Sequence, residues 1–216
     1  MPKNDALEQN IERRIREATI FAIYKQSGRR FVPAAISGRH VHLCRKDIDA
    51  LFGFGYELTP MKPLVQPGQF ASEETVTIVG PKGRIAKVRV LGPARPETQV
   101  EISVSDTFSI GIVPALRMSG DVAGTPGVRL ETEKGSADLA SGTIIAARHL
   151  HLSSSQAQAL GLADGQIVTL RKNGPRAAIL GSVVVRSGDA HEMEVHIDQD
   201  EANAALIRNG DLLEIV

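Results

Sequence analysis

Ser37-Gly38-Arg39-His40-Val41-His42-Leu43 returns later in the chain as Ala146-Ala147-Arg148-His149-Leu150-His151-Leu152. Each copy follows a short apolar run. Each precedes a short polar stretch of helical character, Lys46 to Phe52 and Ser153 to Leu160, that runs into a Gly-bearing turn. The shared Arg-His-x-His-Leu core marks an internal duplication, with too few copies for a solenoid. Residues i and i+2 of a strand share a face, so each copy presents two imidazoles side by side.

Outward from these pairs, the chain reads mostly as strand. Val76 and Ile78, then Ile85, Val88 and Val90, flank the turn Gly80-Pro81-Lys82-Gly83, a hairpin signal. Val100, Ile102 and Val104 alternate. Ile167 to Arg171 and Ala177 to Leu180 flank Asn173-Gly174, a second hairpin. Met193, Val195 and Ile197 alternate, Asp200 to Ile207 reads as a short helix, and Leu212 to Val216 as a last strand. Gly120 to Gly135, rich in turn formers, is expected to be a long surface connection. The first residues differ: Leu7, Ile11, Ile15, Ala18 and Ala22 form a helical stripe, with Glu12/Arg16 and Arg13/Glu17 as i,i+4 pairs. Asn4 or Asp5 could cap this helix and Gly28 could end it. The expected fold is mainly β: two related small β-barrel domains with short helices, plus an N-terminal amphipathic helix. The expected divisions are 1–30 for the helix and link, 31–140 for the first barrel and 141–216 for the second.

Composition narrows the function classes. The chain has 216 residues, with 25 basic and 25 acidic, six His, one Cys and no Trp. Zero net charge argues against binding to nucleic acid or an anionic membrane by bulk charge. A lone Cys44 excludes an internal disulfide framework and any Cys-based zinc finger. No apolar stretch approaches the ~20 residues of a spanning helix. Met1 to Glu17 lacks the apolar run of a secretory signal. A reducing, cytosolic setting is the default expectation.

Two neutral imidazoles from one strand make half of a tetrahedral metal site. Aligning Val100-Glu101-Ile102-Ser103 with Val195-His196-Ile197-Asp198 makes Glu101 and His196 equivalent. This gives His40, His42 and Glu101 for one zinc, and His149, His151 and His196 for a second. Three protein ligands with an open fourth position form a catalytic pattern. Such sites also accept cobalt or nickel. Cys44 keeps the parity of His40 and His42 and is a lesser fourth-ligand candidate. His191 is left without a role, as a residue near a turn. Arg39 and Arg148 should point away from the His pairs, toward carboxylates. Arg95, in the rigid turn Gly92-Pro93-Ala94-Arg95-Pro96 leading to Glu101, can present its planar fork to a phosphate or carboxylate. Arg186, ahead of His196, could do likewise.

From about Val32 to Val216, the chain resembles the phosphate propanoyltransferases, the phosphotransacylases of bacterial microcompartments. The resemblance rests on Ile36 to Leu43, Lys62-Pro63-Leu64-Val65-Gln66-Pro67-Gly68-Gln69-Phe70-Ala71, and Leu91-Gly92-Pro93-Ala94-Arg95. It continues through Thr98 to Ser103, Ala147 to His151, and His196-Ile197-Asp198-Gln199-Asp200-Glu201-Ala202-Asn203-Ala204. Two stretches depart from the family pattern: Ile112 to Arg117, and Gln199 in place of a usual Thr. The resemblance implies two β-barrel domains meeting at a two-zinc site, and reversible acyl transfer between coenzyme A and inorganic phosphate. It carries the six metal ligands over to the same residues. It makes Arg95 the phosphate-contacting catalytic residue, and Ser37, Gly38, Lys62, Gln69 and Asn203 the coenzyme A contacts.

The acyl group could be propanoyl, acetyl or another short chain. The resemblance also gives residues 1–30 a reading as an encapsulation segment that recruits microcompartment shell or core proteins. The setting is then the microcompartment, or the cytoplasm if the helix packs in cis. A homo-oligomer is expected, with no nucleic-acid or membrane partner. Two other classes stay in view: a non-catalytic zinc-dependent interaction module of the microcompartment, and a zinc hydrolase of thioesters.

Overall fold

The computed structural model describes residues 2–216, with the side chains of residues 2–7 and 9 outside the description. In chain order the elements begin with α1 (Pro2–Ser27), β1 (Arg30–Ser37), β2 (His40–Cys44), α2 (Arg45–Phe52), β3 (Pro60–Pro63), β4 (Phe70–Val79) and β5 (Arg84–Arg95). Next come β6 (Gln99–Glu101), α3 (Val104–Ile110), β7 (Leu116–Arg117), β8 (Arg129–Glu131), β9 (Ser136–Asp138) and β10 (Thr143–Ala146). The chain closes with β11 (His149–Leu152), α4 (Ser154–Leu160), β12 (Ile167–Lys172), β13 (Ala178–Ser187), β14 (Glu194–Asp198), α5 (Gln199–Ala205) and β15 (Leu212–Ile215). The expected mainly-β class holds, with the N-terminal helix and short helices between strands.

The chain forms two compact units, neither of them one continuous stretch. One contains Ile36–Ala147 and Ile197–Glu201. Its sheet is curled, in the order β7-β10-β6-β2-β5-β4-β8-β9, with β3 paired to β4. The other contains Met1–Ala35, Arg148–His196 and Ala202–Val216. Here β1-β14-β11-β13-β12-β15 close into a barrel, which leaves no open edge. β1 enters this barrel from before the first His pair, pairing Arg30 with Ile215 and Val32 with Leu213.

The duplication extends well beyond the His pairs. β2 lies between antiparallel β6 and parallel β5, and β11 lies between antiparallel β14 and parallel β13. Both expected hairpins form, as β4–β5 and β12–β13. Gly80 and Gly83 are needed in the first turn, because a Cβ on either would stand 2.4 Å from a carbonyl oxygen of α3. Lys87 in β5 and Ser182 in β13 share a left-handed backbone at φ 57. Ser103 caps α3 with Asp106, and Asp198 and Glu201 exchange the same two bonds at the start of α5. Gly111 follows α3 at φ 77, and Leu206 follows α5 at φ 51.

Alternation sets which side chains fill each core. Val41, Leu43, Val100 and Ile102 point into the core of the curled unit with Val76, Val88, Val90 and Leu130. Leu150, Leu152, Val183, Val185 and Val195 are fully buried in the barrel unit. The residues between them on β2, β6, β11 and β14 are therefore directed to the other face of each sheet.

Two expectations are corrected. Gly120 to Gly135 is not merely a surface connection: β8 lies within it, pairs with β4, and buries Leu130 completely. Its three residues are too few to show a period against the surrounding turn formers. The Arg13/Glu17 pair expected on α1 does not form either. Ile11 and Ile15 are 49% and 62% exposed, and Ala18 and Ala22 are exposed too. Ile20 is buried instead, and Arg13 and Glu17 turn to Glu192 (2.8 Å) and Gln156 (2.9 Å). The fifth stripe residue, Leu7, and the caps proposed at Asn4 and Asp5 lie outside the described side chains. Gly28 ends the helix as expected, at φ 67 with its N–H on the Tyr24 carbonyl. No helix among the described residues is long and apolar enough to cross a membrane.

Candidate metal centres

In the curled unit, His40 stands directly opposite Glu101 across the β2–β6 pair. In the barrel unit, His149 stands directly opposite His196 across β11–β14. Cross-strand partners of this kind have Cβ atoms only ~5 Å apart, so each His pair gains a third donor from the neighbouring strand. The donor atoms of His40, His42 and Glu101 lie within 4.8 Å of one another, and so do those of His149, His151 and His196. The two His pairs share one local geometry: rings at 89° to each other, with centroids 5.0 and 4.7 Å apart.

His40, His42, Glu101, His151 and His196 each have a polar contact. His40 Nδ1 lies 2.8 Å from the Gly38 carbonyl, which places its proton there and leaves Nε2 facing Glu101 Oε2 at 3.5 Å. His42 bonds to the Leu91 main chain, while its buried Nδ1 has no partner. Gln99 Nε2 and Ser119 Oγ hold Glu101 Oε1 at 2.6 and 3.1 Å. His151 Nδ1 lies 3.1 Å from His191 Nδ1, and His196 Nε2 lies 3.0 Å from Glu194 Oε2.

Electrostatics suit a cation. Burial lowers His42 to about 2, helped by the nearby His40 and Arg95 charges. Burial lowers His151 to about 2 as well, helped by His149, His196, His191 and Arg186. Both rings are therefore neutral with a lone pair available, the form that ligates metal. On His40, burial opposes the proton, yet Glu101 and the Gly38 carbonyl outweigh it and raise the pKa. Glu101 thus draws positive charge to this point. An orphaned ring nitrogen, neutral imidazoles and one carboxylate form a nitrogen and oxygen set that fits zinc.

The remaining expected residues fall as follows. Arg95 ends β5, with Nη1 3.4 Å from Ser119 Oγ, and its charge is felt by both His40 and His42. The turn expected around it is strand instead: Gly92 to Arg95 belong to β5, with Gly92 opposite Phe70 of β4, where a Cβ would run into the Phe70 ring. Ser37 ends β1. Gly38 is exposed, and a Cβ there would meet nothing within 4 Å. Lys62 is exposed on β3, Gln69 lies in the turn before β4, and Asn203 is exposed on α5. Arg39 pairs with Asp106 at 2.8 Å, and Arg148 donates to the Gly181 carbonyl at 2.7 Å. Cys44 is not a member of either cluster: it occupies the N-cap position of α2, its Sγ 3.4 Å from Asp47 Oδ2.

Gln99, Ser119, His191 and Glu194 escaped the sequence reading. Gln99 and Glu194 sit two residues before a proposed ligand on the same face, a position that parity alone could have flagged. His191 and Ser119 come from loops, and no period points to them.

A family model for phosphate propanoyltransferase matches residues 33–208. A phosphate propanoyltransferase of Thermotoga maritima is 51% identical over 84% of this chain and 87% of its own length. That of Clostridioides difficile is 42% identical over 96% of this chain and 98% of its own, and that of Citrobacter freundii 46% over 88% and 90%. Together with the fold, these place the chain among the acyltransferases, an enzyme class rather than non-catalytic modules. More narrowly, it belongs to the phosphate propanoyltransferase family.

Proposed function

We propose that this chain transfers a short acyl group, propanoyl or acetyl, reversibly between coenzyme A and inorganic phosphate at a zinc site. The observation that carries the reading is the cluster of His40, His42 and Glu101, together with the buried Nδ1 of His42 that has no hydrogen-bond partner. His149, His151 and His196 would hold a second zinc. Zinc, when bound, would supply a Lewis acid for the thioester carbonyl and a thiophilic partner for the departing sulfur.

The chain's own residues do the rest. Arg95 binds phosphate, orients it and offsets its charge as one phosphate oxygen attacks the carbonyl carbon. The new C–O bond forms as the C–S bond breaks, and coenzyme A leaves as thiolate. No acyl-enzyme is required, and Cys44, turned to Asp47, is not used as a nucleophile. Ser37 and Gly38 line the approach of coenzyme A. The open space at Gly38 supports this, since nothing in the fold requires a glycine there. Lys62, Gln69 and Asn203 supply further coenzyme A contacts. The exposed Ile11 and Ile15 face of α1 supports docking on a microcompartment shell or core protein, and the chain acts as a homo-oligomer in that setting.

His40→Ala tests the site: zinc at that cluster and most turnover should vanish together. Full activity in a variant shown to lack that zinc would overturn the mechanism. Fusing residues 1–30 to a reporter tests the location, and a reporter that never co-localises with shells would reject it.

A further inference from the structure

Two residues before its cluster's third donor, each repeat carries a polar side chain that touches that donor. Gln99 Nε2 donates to Glu101 Oε1 at 2.6 Å, and Glu194 Oε2 accepts from His196 Nε2 at 3.0 Å. The two positions are equivalent. Gln99 stands opposite His42 across β2–β6, and Glu194 stands opposite His151 across β11–β14. Their chemistry is reversed. A carboxylate only accepts, and its neighbour is an amide that donates. An imidazole with one ring nitrogen on a metal has an N–H on the other, and its neighbour is a carboxylate that accepts.

The orientation of Gln99 follows from its surroundings. Its Oε1 accepts from the Gly120 N–H at 2.7 Å, so its amino group must face Glu101 and Ser119 Oγ, the latter at 2.9 Å. Glu101 Oε1 is thereby occupied from behind, and Oε2 is the oxygen turned toward His40. In the other repeat, Glu194 fixes the proton of His196 on Nε2 and leaves Nδ1 as the donor.

We infer that Gln99 and Glu194 are positioning residues matched to their ligands, so that Gln99–Glu101 and Glu194–His196 are two exchangeable versions of one device. The inference rests on the clusters binding zinc. It requires that the ligand and its neighbour change together: an amide behind a carboxylate, a carboxylate behind an imidazole. A carboxylate behind Glu101 would repel it, and an amide behind His196 would lose the charge that strengthens the bond.

The test is zinc affinity of the full chain, measured by competition with a chromogenic chelator. Each cluster is read alone by removing the other with His149→Ala or His40→Ala. Gln99→Leu should weaken the first cluster ~10–100-fold, and Glu194→Ala should weaken the second by a similar factor. Glu194→Gln, which keeps an acceptor, should lose less. Gln99→Glu alone and Glu101→His alone should each weaken the first cluster. Combined, they should bind at least ~10-fold more tightly than either single variant, because the pair is then that of the other repeat. Melting of the metal-free variants checks that each remains folded. Unchanged affinity in Gln99→Leu, or a double variant no tighter than Glu101→His, overturns the matching. A parent chain that takes up no zinc at either cluster instead overturns the underlying site reading.

Discussion

Replacing His42 by Leu separates what the ring does for the metal from what it does for the fold. His42 is buried, and its Nδ1 has no hydrogen-bond partner. A buried polar atom left unpaired costs ~1–3 kcal/mol. Leu removes that atom at the loss of the ring's bond to the Leu91 main chain, worth ~1 kcal/mol. The metal-free variant should therefore match the metal-free parent to within ~1–2 kcal/mol. With zinc a thousandfold above its Kd, each site should add ~4 kcal/mol to the parent, or roughly 8–16 °C in a chain of this size. The variant should lose the whole share of the first cluster and keep that of the second. Thermal melting with and without zinc, alongside metal analysis of the same samples, reads both quantities. A variant that still binds two ions per chain refutes the reasoning. So does a metal-free variant destabilised by more than ~3 kcal/mol, which would make His42 a structural residue.

Other residues give independent tests. Arg95→Ala should raise the KM for phosphate ~10–100-fold, the loss of one charge-assisted contact, with a smaller change for acyl-CoA. An unaltered phosphate dependence rejects its role. Glu214 is lowered to about 2 by its bonds to Arg29 and Arg171. The stability this provides is complete above the ordinary carboxylate value of 4.5 and is lost as pH falls toward about 2. Glu214→Gln should lower the melting temperature at pH 7 and flatten its fall between pH 4.5 and 2. An unchanged acid limb contradicts this. Leu206 holds φ 51 where the first repeat has Gly111, and it is half exposed. Leu206→Gly should stabilise by roughly 0.5–1 kcal/mol through relief of the left-handed strain, measured by denaturant melting. Destabilisation would show that its side chain matters more than its backbone.

The parts of the molecule legible in the sequence are those with a period. His-x-His reads as two rings on one strand face because strand parity admits no other arrangement. Parity also aligned Glu101 with His196, and both now stand opposite a His of their own cluster. Turn residues announced β4–β5 and β12–β13. What lacked a period stayed hidden. β1 closes the barrel with β14 and β15, strands far along the chain, and local pattern carries no sign of such pairing. β8 is too short to alternate visibly. On α1, spacing suggested a pair between Arg13 and Glu17, but folding brings Glu192 and Gln156 to them instead. His191 reaches His151 from a loop, by a contact that only folding creates.

The most direct test is thiol release from propanoyl-CoA by the purified chain, with and without phosphate, before chelation, after it, and after zinc is restored. Release should require both phosphate and zinc, return with zinc, and yield an equal amount of acyl phosphate trapped as hydroxamate. Release without phosphate, or undiminished release from protein shown to be zinc-free, would contradict the account.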